Sequence, residues 1–280
     1  MRRALACTLP LALLAACRVG GDGAKETITW KGPVGDGARV ALRLRDGRVT
    51  VEEGTGDSAE GVLTVTRRTG KPSVTLQVVQ DARGIVACVQ YEAEARCDAD
   101  AYAVSAATGG RSVTAVLRLP RGRSLDIATD NSPITVDAPS AAAVLRTGNG
   151  RIRVRDVAGP LVVTTSNASV RATGTRGAVS IETSNGAIRL VPDSVGGDVT
   201  LVTSNGSVET ELPASASAAL RAQTSNGAIE FALPGTIRAR ESGSLDAVLG
   251  AGTHRFTVTT SNGRVAFKAR GNGSDSGDDN

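Results

Sequence analysis

The sequence predicts an all-β protein: a β-solenoid or stacked β-roll of about 18–21-residue rungs, with an N-terminal antiparallel β insert or cap. Three observations carry this. The tetrapeptide Thr-Ser-Asn-Gly occurs at 183–186, 203–206, 224–227 and 260–263, with looser copies at 129–132, 147–150 and 165–168. Apolar and polar residues alternate on both sides of each Asn, the period of a strand rather than a helix. Aromatics are only 2% of the chain while Gly supplies 33 residues, as a narrow stack of small rungs with tight corners requires.

The repeat residues Asn131, Asn149, Asn167, Asn185, Asn205, Asn226 and Asn262 lie 18, 18, 18, 20, 21 and 36 residues apart. The last interval is twice 18, so one copy is expected to have degenerated. Two residues before each Asn stands a Thr; four and six before, and three and five after, stand mainly Val, Ile, Leu, Ala or Phe. Each unit therefore reads as strand, Asn-Gly corner, strand, with the Asn-Gly pair chosen for its tolerance of positive φ. One such unit cannot bury its apolar stripe, so neighbours must stack on it and align the Asn side chains in a ladder. About nine rungs at about 4.8 Å make a body roughly 40 Å long.

Reading from the start, Met1-Arg2-Arg3 and the apolar run Ala4–Ala16 form a signal peptide too short to span a bilayer, residues 1–16. Leu14-Ala15-Ala16-Cys17 matches a bacterial lipobox, with Cys17 as the lipidation site; an ordinary signal with a chance Cys is the alternative. Arg18 at the next position is compatible with sorting to the outer membrane of a Gram-negative cell. Residues 17–25 read as a flexible tether. Residues 26–119 form an N-terminal β region. Within it Val40, Leu42, Leu44, Asp46-Gly47, Val49 and Val51 match every apolar slot of the repeat and predict a first rung, or a first hairpin of the same sheet, at 39–52. Residues 60–119 break the period and read as a lateral or capping antiparallel insert, which would blunt an open sheet end. Trp30 is expected in the core at that end. Residues 120–270 form the repeat solenoid, and 271–280, without a hydrophobe, an acidic disordered tail.

Once Cys7 is removed with the signal and Cys17 is acylated, Cys88 and Cys97 remain. An even pair in an oxidising compartment predicts a disulfide; a metal site would need further His or Cys. The single His254 lacks a partner motif, which leaves no His-rich metal site. Few aromatics and scattered Arg argue against nucleic acid. No Gly-x-Ser-x-Gly elbow, phosphate loop or dinucleotide fingerprint occurs, and no cofactor or metal is expected.

The outward slot four after each Asn reads Thr135, Arg153, Arg171, Arg189, Glu209, Glu230 and Ala266. Stacking would make Arg153, Arg171 and Arg189 vertical neighbours. They form either a strip for an anionic glycan or lipopolysaccharide, or a solvated surface partly neutralised by side neighbours such as Glu182.

The Thr-Ser-Asn-Gly-(Ala/Ser)-(Ile/Val) repeats are joined by the segment Val116-Leu117-Arg118-Leu119-Pro120-Arg121-Gly122 and the strand Val86-Ala87-Cys88-Val89 with its later Cys. With these features the chain resembles a bacterial adhesin-like family, a domain of unknown function with β-strand repeats of the head-GIN type. The resemblance spans 26–268. It implies a cell-envelope β-solenoid with no assigned activity and assigns no site residue. The expected function is a non-catalytic envelope lipoprotein, adhesin-like, held to the membrane by its N-terminal lipid. It would present a repeated polar face to a glycan or an envelope protein, as a monomer or weak self-associator. A polysaccharide-active β-helix enzyme, and an envelope scaffold or stress-signalling assembly module, are the alternatives.

Overall fold

The computed structural model describes residues 13–18, 25–54, 59–68, 74–81, 84–91, 97 and 113–271. Residues 1–12 of the expected signal peptide, residues 19–24 of the expected tether and residues 272–280 of the expected tail lie outside the described residues. Every described element is a β-strand.

Each rung is two strands joined at a corner. The strands before the corners pair into one sheet, here the upstream sheet, and those after the corners pair into a second, the downstream sheet. Alternate side chains point between the sheets: along Leu161–Thr165 and Val179–Thr183 buried and exposed residues alternate. The period-two pattern therefore places Ile127, Leu145, Val163, Ile181 and Leu201 in one buried column and Ile134, Ile152, Val170, Ile188 and Val208 in the facing one. Neighbouring strands run parallel and in register: Leu161 lies opposite Val179, which lies opposite Val199. The long strand Ile134–Thr147 serves both sheets, pairing with Ile152–Val157 at its start and with Leu161–Thr165 at its end.

Rungs are named for their corner residue. From one end they run Asp46, Asn131, Asn149, Asn167, Asn185, Asn205, Asn262 and Asn226. The last two are out of chain order. His254–Thr260 pairs with Val199–Thr203 on one side and with Ala218–Thr224 on the other. Val265–Ala269 likewise lies between Val208–Leu212 and Ile229–Ala232. The 36-residue interval is therefore not a decayed copy. It holds the strands Thr236–Glu241 and Ser244–Leu249, an antiparallel hairpin added to the upstream sheet beyond Ala218–Thr224. The chain builds the end of the stack, caps it, and returns to fill the gap it left. A rung closed by neighbours on both sides frays less than a free terminus.

The other end follows the same plan. The Asp46 rung (Arg39–Arg43 and Gly47–Glu53) forms as expected and stacks directly on the Asn131 rung. It therefore belongs to the same stack as the later repeats, although the whole insert separates them along the chain. The insert is only half antiparallel. Gly84–Gln90 and Val113–Leu119 extend both sheets in parallel, and Thr75–Asp81, Glu60–Arg68 and Lys25–Pro33 then add antiparallel strands outside them. Tyr91 ends the ladder: its hydroxyl donates to the Asp46 carbonyl at 2.8 Å. Cys88 and Cys97 form a disulfide as expected. Closing a loop of 9 residues' separation removes unfolded-state freedom by roughly 2–3 kcal/mol.

Aromatic side chains sit at the two ends, where the stack is no longer covered by identical rungs. Trp30 is buried at one end. At the other, Phe231, Phe267 and Phe256 contact edge-to-face with centroids 6.2 and 6.1 Å apart. Between them the interior is aliphatic.

Candidate functional site

The corner edge is the most regular surface feature. Each Asn side-chain amide donates to the Oδ1 of the next ladder residue at 2.7–2.9 Å, from Asn226 through Asn262 and down to Asn131, which donates to Asp46. All these amides point the same way. An ionised carboxylate, which only accepts, is the group suited to terminate such a chain. Beneath the Asn, the buried Thr residues form a second ladder: Thr183, Thr203, Thr260 and Thr224 donate to the backbone carbonyls of Ala168, Gly186, Gly206 and Gly263.

Gly47 and Gly150 have the positive φ that the dipeptide suggests, but the glycines of the four Thr-Ser-Asn-Gly copies are needed for a different reason. Gly186, Gly206, Gly227 and Gly263 do not have positive φ, and Asp156 is the one non-glycine among the described residues that does. A Cβ at Gly206 would instead lie 2.0 Å from the Gly186 carbonyl oxygen, and one at Gly263 would lie 1.9 Å from that of Gly206. The stacked corners leave no room for a side chain.

On the downstream sheet, Arg153, Arg171 and Arg189 are vertical neighbours, as the slot predicted. The Asn149 rung adds Arg155 on the same outer face, since residues two apart in a strand share a face, and the exposed Arg151 immediately precedes that strand. Asp137 lies 3.7 Å from Arg155, and Glu211 lies 2.6 Å from Arg189. Arg151 and Arg153 have no acidic partner among the described residues. Glu182 does not neutralise this strip: it stands in Val179–Thr183, on the upstream sheet, whose outer face is the opposite side of the molecule. The strip stops at Glu209, opposite Arg189. Glu209 accepts from Lys268 at 2.5 Å, a contact that exists because the Asn262 rung is inserted beside it. The Lys268 hydrogen bond, outweighing the effect of burial, holds the Glu209 carboxyl below its usual range.

The upstream sheet carries a feature that the Asn-aligned reading passed over. Asp126 is 1% exposed and meets three guanidinium groups from two neighbouring rungs. Arg43 donates at 2.9 Å, Arg39 donates to the same oxygen, and Arg146 reaches the other at 3.3 Å. Arg43 also donates to the Asp126 carbonyl at 2.6 Å. Burial pushes the Asp126 carboxyl up, but the hydrogen bonds from Arg43 and Arg39 outweigh it and leave it below its usual range. Beside this cluster a cavity of about 500 Å³ opens at the corner edge, lined by Arg39, Arg43, Arg146, Thr164 and Ser166 among others. Reading the slot three before each corner for charge would have found Arg43 and Arg146.

The backbone of Cys17, expected to open a flexible tether, lies in the strand Leu13–Arg18, opposite Thr27 of Lys25–Pro33. Cys17 and the cation strip are thus separate features. His254 begins a strand, opposite Ala218. No group of three or more His, Cys, Asp or Glu positioned for a metal occurs among the described residues.

Residues 102–268, more than half of the chain and nearly all of this stack, match the Toastrack DUF4097 family. The chain belongs to that family. The match covers the Arg strip, the corner ladder from Asn131 onward and the Asp126 carboxylate, while the Asp46 rung lies before it. No curated protein matches this Toastrack chain. Among solved structures it is similar to one described as a candidate cell adhesion protein from Clostridium sporogenes, at 10% identity over 89% of this chain and 100% of that one, with a TM-score of 0.37. A candidate adhesin from Bacteroides fragilis matches at 9% identity over 89% and 100%, with a TM-score of 0.35. One from Parabacteroides distasonis matches at 9% over 88% and 98%, with a TM-score of 0.27. At that distance these likenesses give no residue of the Toastrack chain a role.

Proposed function

We propose that the protein is a non-catalytic lipoprotein of the bacterial cell envelope, anchored in the outer membrane through Cys17, that holds an anionic glycan against its downstream sheet. The observation that carries this is the in-register column Arg153, Arg171 and Arg189 flanked by Arg151 and Arg155. Like charges on directly opposed strand positions repel, and a fold that needed only a solvated surface would not concentrate them. Stacked strands set the charges about 4.8 Å apart on a rigid, flat face. A linear polyanion lying along the stack axis meets several at once, so modest single contacts add through effective concentration. The acidic end at Glu209 and Glu211 favours a polymer over a bilayer: a membrane laid on the flat face would touch both halves, whereas a chain can follow the cationic rungs alone.

Binding to an immobilised polyuronate is expected to weaken at least tenfold in the double variant Arg153→Glu/Arg171→Glu and to fall steeply with salt, as measured by surface plasmon resonance. Equal binding by the variant would reject the strip as the contact. The anchor is tested separately. Cys17→Ala is expected to move the protein from the membrane to the soluble fraction and to abolish incorporation of labelled lipid; continued labelling would exclude Cys17 as the site.

A further inference from the structure

The cleft on the upstream sheet is separate from the Arg strip. We infer that it binds a small ligand through one oxyanion group, a carboxylate or a phosphate. Its volume of about 500 Å³ falls within the range of small-molecule sites. It lies on the face opposite the Arg strip and does not rest on the reading of that strip.

The argument is about how the donors are held. Asp126 is buried and ionised, and its two oxygens are already engaged by Arg39, Arg43 and Arg146. It therefore positions the guanidinium groups. Arg43 is buried, with a side-chain exposure of 3%, and is fixed by the Asp126 carboxylate and two backbone carbonyls. Arg146 differs: its side chain is 54% exposed, and only one of its N–H groups reaches Asp126, at 3.3 Å. A guanidinium has five N–H donors in a planar fork, so the remaining edge of Arg146 is available on the cavity side. Thr164 lies beside Arg146 in register on the next rung, and Ser166 follows on the same wall. Both supply hydroxyl donors. The one acidic residue of the lining, Asp130, lies 3.8 Å from Arg45. Donors held in place before the ligand arrives lose little freedom on binding, and bidentate guanidinium contacts select planar or tetrahedral oxyanions.

The test is isothermal titration of the full chain with inorganic phosphate, with glucuronate and with neutral glucose. Saturable binding of phosphate, glucuronate or both, at one site per chain and with none for glucose, is expected. Phosphate alone assigns a phosphorylated ligand, glucuronate alone a carboxylated one, and both together the shared oxyanion chemistry. Arg146→Ala is expected to weaken binding at least tenfold, and Thr164→Val several-fold, in chains that remain folded: Thr164 is exposed, and Asp126 keeps Arg39 and Arg43 when Arg146 is removed. Arg153→Glu/Arg171→Glu on the opposite face is expected to leave this binding intact. Absence of saturable binding for every anion, or equal affinity in Arg146→Ala, would overturn the inference. Loss of polyuronate binding in the strip variant, with phosphate or glucuronate binding kept, separates the two sites.

Discussion

Gly206→Val is expected to lower the thermal unfolding midpoint by roughly 6–12 °C, the shift that about 3 kcal/mol produces in a chain of this size. The cause is local and steric. A Cβ at Gly206 would sit 2.0 Å from the Gly186 carbonyl oxygen and 3.0 Å from the Thr203 hydroxyl. Relieving that overlap means separating two central rungs. The Asn205 and Ser204 backbone amides would then lose their carbonyl partner on Ser184, bonded at 2.8 and 3.2 Å. The side-chain bond from Asn205 to Asn185 runs through the same corner. Gly35→Ala is the control: nothing lies within 4 Å of a Cβ there, and its φ is not positive, so stability should hold or rise slightly. Calorimetry on both variants checks the contrast. Equal midpoints would mean that the corners have more room than their spacing allows.

Asp126→Ala is expected to cost about 3 kcal/mol or more, because removing one partner of a buried ion pair leaves the other charge inside without it. Arg43 bears most of that loss, being as buried as the carboxylate it meets. Asp126→Asn, which keeps the shape and one acceptor oxygen, is expected to cost less. The carboxyl lies below its usual range in the folded chain, so its stabilising contribution is complete above the ordinary Asp value of about 3.9. That contribution fades as the pH falls below this value and through the depressed folded one. In Asp126→Asn this share of acid sensitivity should vanish. Urea unfolding of wild type and variant at neutral and acid pH reads both effects. A variant as stable as wild type at neutral pH would exclude the cluster as a support of the fold.

The repeat register was legible because it is written in side-chain type. Fixing Asn149, Asn167 and Asn185 as equivalent also fixed Ile152, Val170 and Ile188 as one buried column and Arg153, Arg171 and Arg189 as one outward-facing column. Asp46 was recognisable as a corner for the same reason. What a period cannot tell is which copy lies beside which. Asn262 and Asn226 carry the same motif, and any copy offers the same ladder partners, so chain order is the default and here it is wrong. The decision lies in the hairpin of Thr236–Glu241 and Ser244–Leu249, which covers the outer edge of Ala218–Thr224 and leaves the returning strand only the gap beside Val199–Thr203. The Asp126 cluster was hidden by the same circumstance. Arg43 and Asp126 are 83 residues apart and meet because the Asp46 rung stacks on the Asn131 rung with the whole insert excluded from between them. The corner glycines show a further limit: the positive φ that Asn-Gly suggested occurs at Gly47 and Gly150, whereas at Gly186, Gly206, Gly227 and Gly263 the requirement comes from the neighbouring rung.

The rung order sets where the cation strip ends, by bringing Lys268 to Glu209, and it is the claim on which the account of both faces depends. Paired cysteines at exposed corner positions test it directly, in chains carrying Cys17→Ala. Ser204 and Ser261 occupy adjacent rungs, with the Ser261 amide donating to the Ser204 carbonyl at 3.2 Å. Ser225 lies one rung further on, beyond Ser261. On oxidation, the pair Ser204→Cys/Ser261→Cys is predicted to form a disulfide readily, and Ser204→Cys/Ser225→Cys to remain reduced. Efficient bridging of 204 to 225, with none between 204 and 261, would restore chain order and contradict the structure.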